Sequence, residues 1–140
     1  MRLAAPIAAL LLFFTFLDTR PAGAALNMNE GEWETTITAD GQTRSLGRNC
    51  YSKADIAEME RVLKGESTQP EGSCRYSDFA QSGNSVRYTM TCRRGDDEQS
   101  STVDAIYQGN TATGTLSTAG VTLTTTSRRV GSCTQSSFSH

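Results

Sequence analysis

The chain has 140 residues, with 13 Lys and Arg against 15 Asp and Glu, a formal net charge of −2 and one histidine, His140, at its end. This near-neutral charge excludes general attraction to nucleic acid, and a lone terminal histidine excludes histidine-based catalytic triads and histidine metal clusters. Apolar residues make up 36% of the chain, so the core is small and covalent cross-links matter more than usual.

The first residues have the pattern of a cleaved signal peptide. Arg2 is followed by an apolar run over residues 3–17 and by the small-residue site Ala22-Gly23-Ala24. The run is shorter than the roughly 20 residues that a spanning helix needs. We therefore expect cleavage after Ala24, no membrane span in the mature chain, a single β-domain over residues 25–140, and a periplasmic or secreted location.

A β-hairpin is predicted at the start of this domain. Apolar and polar residues alternate over residues 32–39, which indicates a strand with one apolar face. Asp40-Gly41 is a tight-turn signal, and a return strand follows over about residues 43–51. Arg48 would share the apolar face with Leu46, so the return strand contains a bulge or Arg48 lies at an open end.

One helix interrupts the strands, over about residues 53–64. Ser52 and Asp55 form a capping box at its start, and Gly65 is a stop signal at its end. Four apolar residues recur at helical spacing: Ile56, Met59, Val62 and Leu63. We interpret this stripe as packing against the sheet; the alternative is a face that binds a partner.

Cys74 and Cys92 lie equally far from Gly83, so a hairpin turning at residues 82–84 places them opposite each other. A disulfide between them is therefore predicted. The same register puts three more pairs on the cysteine face: Tyr76 with Met90, Asp78 with Tyr88, and Ala80 with Val86.

Three more strands are predicted over about residues 101–107, 111–117 and 121–130, separated by Gly-containing turns. The fold class is thus mainly β: an antiparallel meander of about seven strands, with the helix after the second strand. A small exported meander usually curls into a barrel or half-barrel, which protects its edges.

The remaining cysteines, Cys50 and Cys133, then form the second disulfide by elimination. A four-cysteine zinc site is the alternative, but zinc sites use closely spaced cysteine pairs and the nearest two cysteines here are 18 positions apart. Two disulfides leave no thiol nucleophile, and the sequence indicates no cofactor.

The order of these features resembles a known family. Residues 31–36 (Gly-Glu-Trp-Glu-Thr-Thr), Cys50 before a helix, the pair Cys74 and Cys92, and a final Gly-Ser-Cys at residues 131–133 are similar to the bacterial secreted family catalogued as domain of unknown function 3617. The resemblance implies an exported protein and brings no catalytic residues to this sequence. The polar tail after Cys133 departs mildly from the family pattern.

Two function classes remain open. The first is a noncatalytic β-domain, expected to be monomeric, that binds a hydrophobic small molecule or an envelope protein in a pocket lined by Trp33, Tyr88 and Met90. The second is a hydrolase that uses Asp78 and Asp104 as a carboxylate pair. We expect the first, and hence no enzyme activity; a purely structural envelope protein cannot be distinguished from it by sequence.

Two basic doublets could form a patch for an anionic polymer or a membrane surface, although pairing with acidic side chains explains them equally well. They are Arg93 with Arg94, and Arg128 with Arg129.

Overall fold

A computed structural model describes residues 25–66 and 74–134 of the chain; the predicted signal peptide and the polar tail from residue 135 onward lie outside these residues. Seven strands and one helix follow in chain order: β1 Gly31–Ala39, β2 Gln42–Tyr51, α1 Lys53–Leu63, β3 Cys74–Ser82, β4 Ser85–Arg94, β5 Asp97–Tyr107, β6 Thr111–Thr118 and β7 Val121–Gly131.

All seven strands form one antiparallel sheet in the order β2-β1-β7-β6-β5-β4-β3. The strands from β3 to β7 are a meander, and the β1–β2 hairpin joins it through pairing of β1 with β7. The sheet is not closed, since β2 and β3 are its two edges, so the half-barrel form of the prediction is the correct one. Helix α1 follows one edge strand and precedes the other, and it packs against both.

The first hairpin contains the bulge that Arg48 suggested. Pairing of β1 with β2 shifts between Thr35, opposite Gly47, and Thr36, opposite Ser45, which leaves Leu46 unmatched. The expectation that Leu46 lies on the apolar face is wrong: its side chain is 57% exposed, and residues 42–49 of this edge strand are all exposed.

The second hairpin has the predicted register only at its cysteine end. Cys74 lies opposite Cys92 and Tyr76 opposite Met90, but a register shift follows Ser77. Ala80 therefore pairs with Arg87 rather than Val86. Asp78 and Phe79 together lie opposite Tyr88, so a bulge replaces the predicted one-to-one pair of Asp78 with Tyr88.

The physical cause is a bulge centred on Asp78, whose φ is 56°. Asp tolerates this left-handed conformation better than most residues. Strict alternation would place Phe79 on the solvent-exposed face of the hairpin. The bulge instead turns Phe79 toward the core, where it packs against the buried cluster.

Helix α1 begins and ends where its local signals predict. The Ser52 hydroxyl accepts a hydrogen bond from the Asp55 N–H, and the Asp55 carboxylate accepts one from the Ser52 N–H at 2.7 Å. At the other end, Gly65 adopts a φ of 73° and its N–H donates to the Val62 carbonyl, while the Glu66 N–H donates to that of Arg61. This is a Schellman motif, and it satisfies carbonyls that the helix end would otherwise leave free.

The core lies between α1 and the inner face of the sheet. Its buried cluster combines helix residues Ile56 and Leu63 with strand residues Val86 and Ala105, and Leu26 completes it. The sequence reasoning did not predict a role for Leu26, which precedes β1. Its backbone N–H donates to the Glu60 carboxylate at 3.3 Å, which fixes the start of the domain against the helix.

Trp33 is the most buried large side chain of the described residues, with 1% of its surface exposed. Its indole N–H donates to the Asn29 carbonyl at 3.0 Å, so burial leaves this polar group satisfied.

Two disulfides have the connectivity expected from the sequence. Cys74–Cys92 crosses β3 and β4, and Cys50–Cys133 joins the end of β2 to the segment after β7. Cys50 is two residues from the helix cap, so this second bridge also fixes the position at which α1 begins.

Candidate ligand cleft

A cleft of about 520 Å³ lies between α1 and the inner face of the sheet. Its walls come from the end of β2, from one side of α1 and from β3, β4 and β5. The lining residues are Cys50, Tyr51, Asp55, Glu58, Met59, Val62, Leu63, Tyr76, Tyr88, Met90 and Tyr107. Aromatic, thioether and aliphatic groups dominate this surface, as in sites that hold apolar molecules.

A smaller cavity of about 150 Å³ adjoins the cleft. The two share Tyr51, Met59, Tyr88 and Tyr107 as lining residues. Beyond these, the small cavity is lined by apolar, hydroxyl and glycine residues: Met28, Trp33, Thr35, Val103, Ala105, Ala112, Thr113, Gly114, Thr125 and Ser127. The concave face thus offers one continuous apolar recess in two parts.

Side-chain alternation explains why these residues meet. Tyr88, Tyr107 and Ala105 lie on the face of the sheet that also carries Trp33, because each strand of an antiparallel sheet directs every second side chain to the same side. Small residues on β6, Ala112 and Gly114, leave space beside Tyr107 and Ala105, their direct neighbours on β5.

Four tyrosines form a group within the cleft. The rings of Tyr76 and Tyr88 contact edge to face with centroids 5.8 Å apart. Burial raises the pKa of Tyr88, with further contributions from Tyr107 and Tyr76, and burial together with Tyr51 raises the pKa of Tyr107. The pKa of Tyr51 is also raised, first by burial and then by Asp55. The phenols of Tyr51, Tyr88 and Tyr107 therefore stay uncharged at neutral pH.

Charged groups are few in this recess. Among the residues that line either part, none is Lys or Arg. Two carboxylates, of Asp55 and Glu58, line the cleft, but each has a partner: Ser52 donates two hydrogen bonds to Asp55, and Arg61 donates one to Glu58 at 3.1 Å. The recess is therefore mainly apolar with hydroxyl groups, and protein groups already engage both of its carboxylates.

All three residues of the predicted pocket face this recess. Trp33 lines the small cavity, Met90 lines the cleft, and Tyr88 lines both. The predicted set did not include Tyr51 or Met59. Met59 belongs to the apolar helix stripe, whose pattern predicts packing against the sheet. Tyr51 follows Cys50 at a strand end, where alternation alone gives no reason to single it out.

The two carboxylates of the hydrolase hypothesis lie elsewhere. Asp104 forms a two-point ion pair with Arg87 on the outer face, with N–O distances of 2.6 and 3.1 Å. Asp78 lies at the β3 bulge and accepts a hydrogen bond from Ser77 at 3.1 Å. Neither lines the recess. Asp104 lines a separate groove, and Asp78 does not line that groove either.

One arginine of each doublet, Arg93 and Arg128, takes part in an ion pair on the outer face. Arg128 donates to Glu34 at 2.7 Å, and this pairing is the main reason why the pKa of Glu34 lies below its usual range. Arg93 lies 3.7 Å from Glu98, which also binds Arg75. Arg129 instead donates to the Glu30 carbonyl.

Among residues 25–66 and 74–134, no group of three or more His, Cys, Asp or Glu side chains is arranged to hold a metal ion. In the same part of the chain, no helix has the length and apolar character to cross a membrane.

Comparison with known proteins gives one family and no individual relative. Searches of curated proteins and of solved structures found no significant match. A family model matches residues 28–133, which run from just before β1 to the last cysteine and include every residue that lines the recess. The chain belongs to the family described as "protein of unknown function (DUF3617)".

Proposed function

We propose that this chain is a noncatalytic, exported bacterial domain that binds an apolar small molecule between α1 and the inner face of its sheet. The observation that carries the proposal is the two-part recess, lined mainly by aromatic and thioether side chains and by no Lys or Arg. Its two disulfides are typical of proteins that fold in an oxidising compartment, and this supports a periplasmic or secreted location.

The positions of the polar groups favour binding over catalysis. A glycosidase or similar hydrolase needs two carboxylates that face one substrate, whereas Asp104 is neutralised by Arg87 on the opposite side of the sheet. The carboxylate of Asp55 in the cleft is committed to the helix cap. The groups that do face the recess, phenols and thioethers, suit contact with a ligand rather than proton transfer at neutral pH.

Native mass spectrometry of protein purified from the cell envelope tests this proposal. We expect an additional mass of a small apolar molecule on the wild-type protein. The Met59→Trp variant should lose this mass, because the larger side chain fills space that both parts of the recess share. The Ala57→Trp variant is the matched control, since Ala57 lies on the exposed side of the same helix.

Two results would contradict the proposal. Protein that is free of any bound molecule in repeated preparations would favour a purely structural role in the envelope. A bound mass that survives Met59→Trp unchanged would place the ligand elsewhere on the domain.

A further inference from the structure

We propose that the recess selects uncharged amphiphiles that carry a hydroxyl or carbonyl group, and that it discriminates against fatty acids and other anionic lipids. This inference rests on the proposed function, because it names the class of molecule that the recess takes. Two independent features carry it: a set of tyrosine hydroxyls without protein partners, and the distribution of charge around them.

The first feature is the hydroxyl groups of Tyr51, Tyr76, Tyr88 and Tyr107. Within the described residues, none of these hydroxyls makes a hydrogen bond to another protein group, although many serine and threonine hydroxyls of the sheet do. Each phenol can donate one hydrogen bond and accept another. These hydroxyls are not buried without a partner, so solvent reaches them, and a polar group of a ligand that enters the cleft can take the place of that water.

The second feature is the charge distribution. An anionic head group loses its hydration on entering the cleft, and burial of an isolated charge is costly unless a counter-charge replaces the water. No Lys or Arg side chain lines the recess. The two ionisable acidic residues in the cleft wall, Asp55 and Glu58, supply no such counter-charge for an anion.

A cationic head group gains little from the same carboxylates. Asp55 already accepts hydrogen bonds from both the hydroxyl and the N–H of Ser52, each at 2.7 Å. Glu58 is paired with Arg61. A neutral head group avoids both costs and uses the phenols, so the geometry favours an alcohol, ester, amide or quinone oxygen at the end of an apolar body.

A panel of matched amphiphiles tests the inference on the purified, disulfide-bonded protein. Dodecanol, dodecanoate and dodecyltrimethylammonium have alkyl chains of nearly equal length and carry a neutral, an anionic and a cationic head group. Isothermal titration calorimetry at concentrations where each probe is dissolved as a monomer should show dodecanol binding at least about tenfold more tightly than either charged probe. A tenfold difference in Kd corresponds to about 1.4 kcal/mol, which is less than the usual free-energy cost of burying an unpaired charge.

Two variants separate the two features. Tyr88→Phe keeps the ring and removes one hydroxyl, and it should weaken dodecanol binding by roughly three- to tenfold, the usual net contribution of one hydrogen bond. Met90→Lys places a cation in the cleft wall and should raise the affinity for dodecanoate by about tenfold or more. Thr89→Lys is the matched control, because alternation directs position 89 to the other face of β4, and it should change neither affinity.

The outcomes distinguish this inference from the function on which it rests. Equal or tighter binding of dodecanoate or dodecyltrimethylammonium by the wild-type protein would overturn the selectivity and leave the binding function intact. Tyr88→Phe with unchanged dodecanol affinity would overturn the role of the hydroxyl. If none of the three probes binds and no mass copurifies, both proposals fail.

Discussion

Among the glycines of residues 25–66 and 74–134, Gly31 is the one whose replacement the structure resists most. It begins β1 with a φ of 143°, a backbone conformation that favours glycine. A Cβ at this position would overlap the Gly131 carbonyl oxygen and lie 2.5 Å from Nε of Arg129. Because the Gly131 oxygen belongs to the neighbouring backbone, it cannot rotate away, and Gly31→Ala must push β1 and β7 apart locally.

The expected cost follows from these two terms. A non-glycine residue at an unfavourable positive φ costs about 1–2 kcal/mol, and steric overlap in a packed region adds about 1–3 kcal/mol. Gly41→Ala is the matched control, since Gly41 also has a positive φ, 72°, but nothing lies within 4 Å of its Cβ position. Gly31→Ala should therefore lower the free energy of unfolding by at least about 1 kcal/mol more than Gly41→Ala does.

Urea unfolding followed by far-ultraviolet circular dichroism, with the disulfides intact, measures both variants. The midpoints should differ while the slopes agree. Trp33, two residues along β1 and the single tryptophan of the chain, gives a local signal, and its emission should shift to longer wavelength in Gly31→Ala before unfolding begins. Equal midpoints for the two variants would refute the steric argument.

Two further predictions concern the cross-links and the helix cap. Replacing Cys74 and Cys92 together by Ser should lower the free energy of unfolding by roughly 3 kcal/mol. The reason is that the unfolded chain regains the conformational entropy that the disulfide removes by closing a loop between residues 18 positions apart. A loss below about 1 kcal/mol in urea titration would contradict this. Hydrogen bonds from the Ser52 side chain and then its backbone hold the pKa of Asp55 below its usual range. The folded-state pKa is thus the lower one, so the cap stabilises the protein fully above the unfolded-state pKa of about 4 and loses this contribution as the pH falls through the folded-state pKa. Asp55→Asn should flatten that part of a stability-versus-pH curve, and an unchanged curve would argue against the cap.

The helix was predictable because its signals are local. Ser52, Asp55 and Gly65 specify both ends through hydrogen bonds within a few residues, and no distant part of the chain has to be known. The Asp40-Gly41 turn was predictable for the same reason, since both residues adopt the positive φ that a two-residue hairpin turn requires.

In the second hairpin, the register predicted from the cysteine spacing is correct near the cysteines and wrong near the turn. Cys74 and Cys92 are symmetric about Gly83, but the turn has two residues, Gly83 and Asn84, between Ser82 and Ser85. The extra residue of the β3 bulge compensates for this offset. The offset of the turn and the extra residue of the bulge cancel at the cysteines. The spacing of the cysteines therefore indicates neither irregularity.

The site was predictable only in part, since it depends on contacts between distant segments. Trp33, Tyr88 and Met90 follow from alternation once the strands are known. The pairing of β1 with β7 and the position of Leu26 against Glu60 join residues that are far apart in sequence, and no local pattern encodes either contact. The recess itself exists because α1 crosses from one sheet edge to the other, and this too is a property of the topology.

The two bulges also bear on how the domain behaves among copies of itself. They occur on β2 and β3, the strands with no sheet neighbour on their outer side among the described residues. A flat edge strand is a template for another chain, whereas an unmatched residue such as Leu46 twists the edge and interrupts its regular row of hydrogen-bonding groups. The irregularities that obscure the register in the sequence thus also keep an open sheet from growing by addition of strands from other molecules.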